Sequence, residues 1–243
     1  MSNKMSNSGI DYADKAANTM YGCKHGCPYC YMESKVMPRL KGRVVDKDFQ
    51  WTVPEYHYQD ISKMRRRFRA QSKNPNLPIG EMMVAVNFTG DMFGEWVPNH
   101  YIEKVLDNIP DYNCYLFLTK NPKRYADFLG MFGWNSWLGT TIVSKDDYER
   151  FRTFLLSTRK ENFLPHRWVS FEPLLGSIGN GLKYIRQLEW VVVGACTGPL
   201  GFQPEKAWVQ EIMDECFKWK VPLFIKDNVK APEFQHFKMF PKG

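Results

Sequence analysis

The sequence predicts an α/β protein with six or seven βα units, arranged as a complete or partial (β/α) barrel. A doubly wound open sheet is the competing arrangement. Three observations predict this. Short apolar runs recur along the chain and mostly fail to alternate polar with apolar, as strands buried on both faces do. The stretches between them carry helical signals. Strands that alternate with helices imply parallel neighbours joined by right-handed crossovers.

Taken in order, a short strand is expected around Ala17–Tyr21, just before a Gly- and Pro-containing loop, "YGCKHGCPYCY". Residues 41–78 form an expected helical, basic insertion with a loop at "KNPNLP", within a single domain spanning 1–243. The main apolar runs follow: Met82–Phe88, Cys114–Thr119, Trp137–Val143, Arg167–Phe171, Trp190–Ala195 and Val221–Lys226. Pro98 and Pro122 stand where a first helical turn tolerates proline. "SKDD" (Ser144–Asp147) has the form of a capping box before "YERFRTFLLSTR". In Glu205–Lys220, Trp208, Ile212 and Cys216 recur at four-residue steps beside Val209, Met213 and Phe217, one apolar stripe for a core. Cys114 and Cys216 read as core residues.

The chain has 243 residues, 44% of them hydrophobic and 24% charged. It has enough apolar material for a substantial core. The opening "MSNKMSNSGI" lacks the apolar stretch of a signal peptide, and no run of 18 apolar residues appears, so no membrane span is expected. A reducing cytoplasm is the expected compartment, where cysteines serve metals or chemistry more than disulfides. The formal net charge is +7 with a pI near 9.0, which favours polyanions by long-range attraction. Part of the surplus lies in "SKMRRRFR", where Arg65, Arg66, Arg67 and Arg69 crowd together. They form either a solvated helix face or a phosphate-contacting patch.

Half of the six cysteines occupy one short stretch: Cys23, Cys27 and Cys30, spaced C-x3-C-x2-C. Thiolates select iron–sulfur clusters, zinc or copper(I). Structural zinc prefers four closed ligands, typically two C-x2-C-like pairs, and no second pair exists. His25 is awkwardly placed to be the fourth. A cubane offers another solution: three cysteines hold three irons, and the fourth iron stays open for a ligand.

The segment "CKHGCPYC", with Tyr29 as its aromatic, resembles the signature of radical S-adenosylmethionine (SAM) enzymes. The blocks "VNFTGDMFGEWVP", "FLTKNPKRYADF", "WLGTTI", "VSFEPLLG" and "WVVVGACTGP" are similar to those of a phage-associated radical-SAM-like family catalogued as of unknown function. The resemblance implies a partial parallel (β/α) barrel and a [4Fe-4S] cluster on Cys23, Cys27 and Cys30. The open iron would bind SAM, which electron transfer cleaves to a 5′-deoxyadenosyl radical. It also implies an electron donor such as a flavodoxin or ferredoxin.

Chemistry in a parallel barrel sits at the C-terminal strand ends, and the candidates are drawn from there. Asn87, Thr89, Gly90 and Asp91 follow the second run. In the resembling enzymes that place holds the SAM ammonium; here it either does so or caps the next helix. Lys120 meets a carboxylate of SAM or substrate, or a helix terminus. Thr140 and Thr141 line the cavity or pack as strand residues. Ser170 and Glu172 share a face if the strand continues, where the carboxylate binds the SAM ribose or pairs with a basic group. Cys196 is a hydrogen-atom donor or a small buried residue. Lys226 and Asp227 follow the last strand, within reach of substrate.

Three functions are compatible with these residues. The first is a radical SAM isomerase acting on a modified thymine in phage DNA, which would protect the genome from host restriction in the host cytoplasm; a radical SAM lyase repairing damaged thymine would use the same equipment. The second is a radical SAM enzyme for a peptide or small molecule. The third is a zinc or iron–sulfur module that binds nucleic acid without catalysis.

Overall fold

The computed structural model describes residues 6–19, 23–36, 38, 71–159, 165–198 and 200–242. Arg65, Arg66, Arg67, Arg69 and most of the expected insertion lie outside the described residues.

Among the described residues, eight strands form one sheet: β1 (Ser6–Asn7), β2 (Lys15–Ala17), β3 (Met83–Val86), β4 (Cys114–Thr119), β5 (Ser136–Thr141), β6 (His166–Phe171), β7 (Trp190–Val193) and β8 (Leu223–Ile225). Their spatial order is their sequence order. β1 pairs antiparallel with β2, and every later pair is parallel. A doubly wound sheet would reverse strand order at a switch point. This one never reverses, and its seven parallel strands curl into a half-barrel. The first parallel strand lies two residues earlier than expected, and its last ladder bond runs from Asn87 N–H to the Ala17 carbonyl (2.9 Å).

Among the described residues, three α-helices cover the outside: α1 (Asn99–Leu106), α2 (Tyr148–Ser157) and α3 (Lys206–Trp219). Two runs of 3₁₀ turns, Pro122–Met131 and Gly179–Gln187, complete the layer. Ser144 caps the turn before α2 by accepting from Asp146 N–H (3.2 Å). The reciprocal half of a capping box is displaced, since Asp147 accepts from Val143 N–H (2.8 Å). On α3, Val209, Ile212, Met213 and Cys216 are buried as the stripe requires. Phe217 departs from it: it is 46% exposed and leans on Phe237. Among the described residues no helix is long and apolar enough to cross a membrane.

The two faces of the strands supply two different cores. Val84, Val86, Tyr115, Phe117, Leu138, Val169, Phe171, Val191 and Val193 meet the helices. Their alternating neighbours Met83, Ala85, Leu116, Trp137, Trp168, Trp190, Val192 and Phe224 fill the concave side. Tyr12, from the β1–β2 connection, enters the same interior, with its ring 5.8 Å from Trp168 and 5.5 Å from Trp190. Trp168 Nε1 donates to the Phe117 and Trp137 carbonyls (3.2 Å each), and Trp190 Nε1 to Met239 (3.0 Å). The barrel floor is thus closed by indoles whose polar atoms are satisfied.

Candidate active site at the barrel mouth

The C-terminal ends of the strands gather the polar residues. The cysteine loop follows β2 and lies against these ends. Within it, Cys30 N–H bonds the Cys27 carbonyl (3.0 Å), closing a turn around Pro28 and Tyr29. Glu33 N–H points at Cys30 Sγ (3.4 Å), and Ser34 Oγ donates to the Cys30 carbonyl (2.9 Å). Cys23 is exposed, Cys27 and Cys30 are half-buried, and all three are free thiols.

Two contacts seat this loop. His25 Nε2 bonds Asp91 Oδ2 at 2.6 Å. On the other side, a β-carbon at Gly198 would overlap the Tyr29 carbonyl oxygen, so the loop after β7 approaches as only glycine allows. Lys120 Nζ stands 5.7 Å from the centre of the Tyr29 ring, a cation–π distance.

Asp91 is 4% exposed and heavily engaged. Besides His25 it accepts from Thr119 Oγ1 (2.7 and 2.9 Å), Lys120 N–H (2.9 Å) and Phe93 N–H (3.0 Å). Burial alone would raise its carboxyl, but His25, the Lys120 amide and Thr119 outweigh it and hold the group below the ordinary Asp value. A carboxylate has about four acceptor positions, and here four donors occupy them. Asp91 thus ties β3, β4 and the cysteine loop together, at the place where the sequence offered either a SAM ammonium site or a cap for the next helix. Asn87 is also engaged within the fold. It is left-handed (φ 57°), its Oδ1 accepts from Thr19 Oγ1 (2.9 Å) and its Nδ2 meets Met92 Sδ (2.9 Å). Thr89 and Gly90 are half-buried in the intervening turn.

Of the two roles open to Thr140, the structure shows it packed within the strand layer. Strand alternation puts it on the helix-facing side with Leu138, and its hydroxyl donates to the Thr119 carbonyl (2.8 Å). Thr141 is the residue of that pair on the concave face, in phase with Trp137 and Gly139.

A second cluster forms at the ends of β6 and β8. Glu172 is ion-paired with Lys226, and the two side chains are 20% and 16% exposed. Ser170 Oγ donates to Glu172 Oε2 (3.2 Å), and the Tyr12 hydroxyl approaches the same oxygen (3.5 Å). Burial opposes charge on Lys226, yet the Glu172 carboxylate raises it above the ordinary Lys value. Burial and Glu172 together push the Tyr12 phenol well up, which keeps it a neutral donor. A β-carbon at Gly194 would strike the Glu172 side chain. Cys196 is buried just beyond, with its N–H bonded to the Phe202 carbonyl (3.0 Å).

The structure therefore brings Ser170, Glu172 and Lys226 together, and sets Lys120 over Tyr29. Sequence reasoning did not assign roles to Tyr12, Gly194 and Gly198. The glycines stand in a quoted block, but Tyr12 carries no periodic signal. A groove of about 500 Å³ lined by Lys206, Gln210, Met213, Glu233, Phe234 and Phe237 lies on the outer layer and lacks these residues.

The donor set fits a cubane better than a single ion. Among the described residues no three His, Cys, Asp or Glu groups converge as a lone metal would require. His25, the extra ligand that closed zinc would need, has Nε2 committed to Asp91. A cubane takes one thiolate on each of three irons, and this loop offers three free cysteines.

A family described as "Protein of unknown function (DUF5131)" matches residues 7–238. The chain belongs to this family. The span matched by DUF5131 takes in the cysteine loop, every parallel strand and both polar clusters. No curated protein matches the sequence. Among solved structures, a spore photoproduct lyase variant with bound AdoMet and dinucleoside spore photoproduct aligns at TM-score 0.53 and 12% identity, over 89% of this chain and 64% of that one. Another lyase variant aligns at TM-score 0.54 and 11% identity, over 92% and 79%. The DUF5131 chain thus spans about two thirds of the length of the first of these lyases. The likeness is one of fold: the half-barrel is shared with these lyases.

Proposed function

We propose that the protein is a radical SAM enzyme acting on a nucleobase in DNA. One observation carries this reading: the C-x3-C-x2-C loop is seated across the C-terminal mouth of a half-barrel, beside two clusters of polar strand-end residues. Cys23, Cys27 and Cys30 would hold a [4Fe-4S] cluster. Bound there, the cluster would supply the electron, drawn from a flavodoxin or ferredoxin, that cleaves SAM to methionine and a 5′-deoxyadenosyl radical.

The chain's own residues supply position and charge. Lys120 is the mouth cation suited to the SAM carboxylate, and Tyr29 orients it through its ring. Thr89 and Gly90 offer hydrogen-bonding groups to the cofactor. Ser170, Glu172 and Lys226 form the polar wall opposite, and the neutral Tyr12 hydroxyl fixes the Glu172 carboxylate from below. The indole floor excludes water beneath a reacting base. The net charge of +7 draws phosphates, with Arg65, Arg66, Arg67 and Arg69 as candidate contacts, and a base in a duplex must leave the stack to enter.

Within that class, the preferred reaction is isomerisation of a modified thymine in phage DNA. A lyase acting on damaged thymine is the second reading. It is favoured by the fold shared with a lyase that carries dinucleoside spore photoproduct, and it makes Cys196 the candidate hydrogen-atom donor.

Anaerobic reconstitution tests the class. The expected result is a brown protein with thiolate-to-iron absorption that releases 5′-deoxyadenosine when reduced with SAM. A protein that holds one zinc and never cleaves SAM overturns it. Nucleosides from DNA of cells with and without the gene then separate the reactions. An isomerase moves a nucleoside's retention at constant mass, whereas a lyase removes a dimeric lesion.

A further inference from the structure

Ordering a loop costs conformational entropy. A metal-binding loop that the fold has already ordered keeps more of its ligand energy as affinity. The cysteine loop has such an ordering device, and it lies outside the ligand set. His25 sits between Cys23 and Cys27. Its Nε2 bonds Asp91 at 2.6 Å, and its ring meets Trp96 edge-on, with centroids 4.8 Å apart at 76°. Asp91 is itself fixed by Thr119, the Lys120 amide and the Phe93 amide, so the carboxylate that receives His25 has no freedom to turn away. The Gly198–Tyr29 approach holds the other end of the same loop, from the β7 side.

We propose that His25 is a positioning residue for the cluster: through Asp91 it ties the cysteine loop to β3 and β4, so that the three thiols stand at the mouth before iron arrives. This rests on the cluster reading above and adds to it a role for a side chain that binds neither iron nor SAM. It also explains why Asp91, at the place where a cofactor ammonium site or a helix cap was expected, faces the loop.

The test compares native protein with His25→Ala and His25→Gln, since a glutamine amide still offers Asp91 an N–H donor. The first readout needs no metal: hydrogen exchange of the apo protein, read over residues 23–31 and over the strands. His25→Ala is expected to speed exchange in the loop about tenfold, the worth of one charge-assisted hydrogen bond. The strands and the melting temperature should not move, and His25→Gln should recover much of the protection. The second readout is iron loss from reconstituted protein to a chelator, expected to be about tenfold faster for His25→Ala and near native for His25→Gln. Loop exchange equal to native in His25→Ala overturns the anchor. So does faster exchange throughout the barrel with a lowered melting temperature, because His25 would then serve the fold at large. A native protein that takes up no iron overturns the radical reading and the anchor's purpose with it, a result distinct from either of those.

Discussion

The floor and the mouth of the barrel are built from the same strands by opposite means. At the floor, Trp137, Trp168 and Trp190 fill the interior with Tyr12, Phe224 and Phe240, and nearly every contact is apolar. At the mouth, the same strands continue into Asp91, Glu172 and Lys226, which are held by ions and hydrogen bonds across long sequence separations, and into Lys120, whose ammonium stands over the Tyr29 ring. Floor residues are there for volume. Mouth residues are there for charge at a defined place, and they remain buried only because each has found partners. Stability should therefore concentrate at the floor and cofactor chemistry at the mouth, and substitutions can break or sharpen that division.

The largest effect is expected at the floor. Trp168→Ala removes an indole that is fully buried and leaves two strand carbonyls without their donor. Such truncations cost about 3–5 kcal/mol, measurable by urea denaturation of the apo protein. A loss under about 1 kcal/mol would mean that the floor collapses to fill the gap and is not the source of stability assigned to it.

The Glu172–Lys226 pair tests the division from the other side. Glu172→Gln leaves a mostly buried ammonium with a neutral neighbour, at an expected cost of about 1–3 kcal/mol. Adding Lys226→Met should recover much of that loss, because the unpaired charge is then gone as well. A double-mutant cycle measures the coupling. Additive losses would show that the two side chains act independently and that the mouth is not organised by pairs.

A smaller effect follows from Asp91. Its carboxyl is held below the ordinary Asp value, so its pairing stabilises the native state above that ordinary value, about 3.9, and the contribution is lost as pH falls through the lowered one. The stability advantage of native protein over Asp91→Asn should be full at neutral pH and shrink under acid. A difference independent of pH would assign the effect to shape instead of charge.

What was legible in the sequence follows the same line. The strands were readable because burial on both faces leaves uninterrupted apolar runs, and all six long runs became parallel strands. Cys23, Cys27 and Cys30 were readable as a group because their spacing is distinctive. The strand-end rule led to Asp91, Lys120, Ser170, Glu172, Cys196 and Lys226, all at or just beyond the C-terminal ends. It did not supply their partners. Glu172 and Lys226 are 54 residues apart, and no local pattern links them. The choice between Thr140 and Thr141 depended on strand phase, which "GTT" does not reveal. Tyr12 stands in a short connection where a single aromatic has no period to declare it. His25 was legible as a possible ligand, and its actual partner, Asp91, is 66 residues away.

The smallest effect on stability should come where the effect on chemistry is largest. Cys27 is half-buried on a surface loop, and its side-chain partner is Tyr29 of the same loop. Cys27→Ala should therefore change the apo stability by no more than about 0.5 kcal/mol. The same substitution removes one of the three proposed cluster ligands, so reconstituted protein should lose the native iron stoichiometry and release no 5′-deoxyadenosine. Trp168→Ala should do the reverse: its folded fraction should still take up iron, although less of it is folded. If Cys27→Ala instead melted the apo protein as deeply as Trp168→Ala does, the loop would belong to the core, and the division between a floor that holds the fold and a mouth that holds the cofactor would fail.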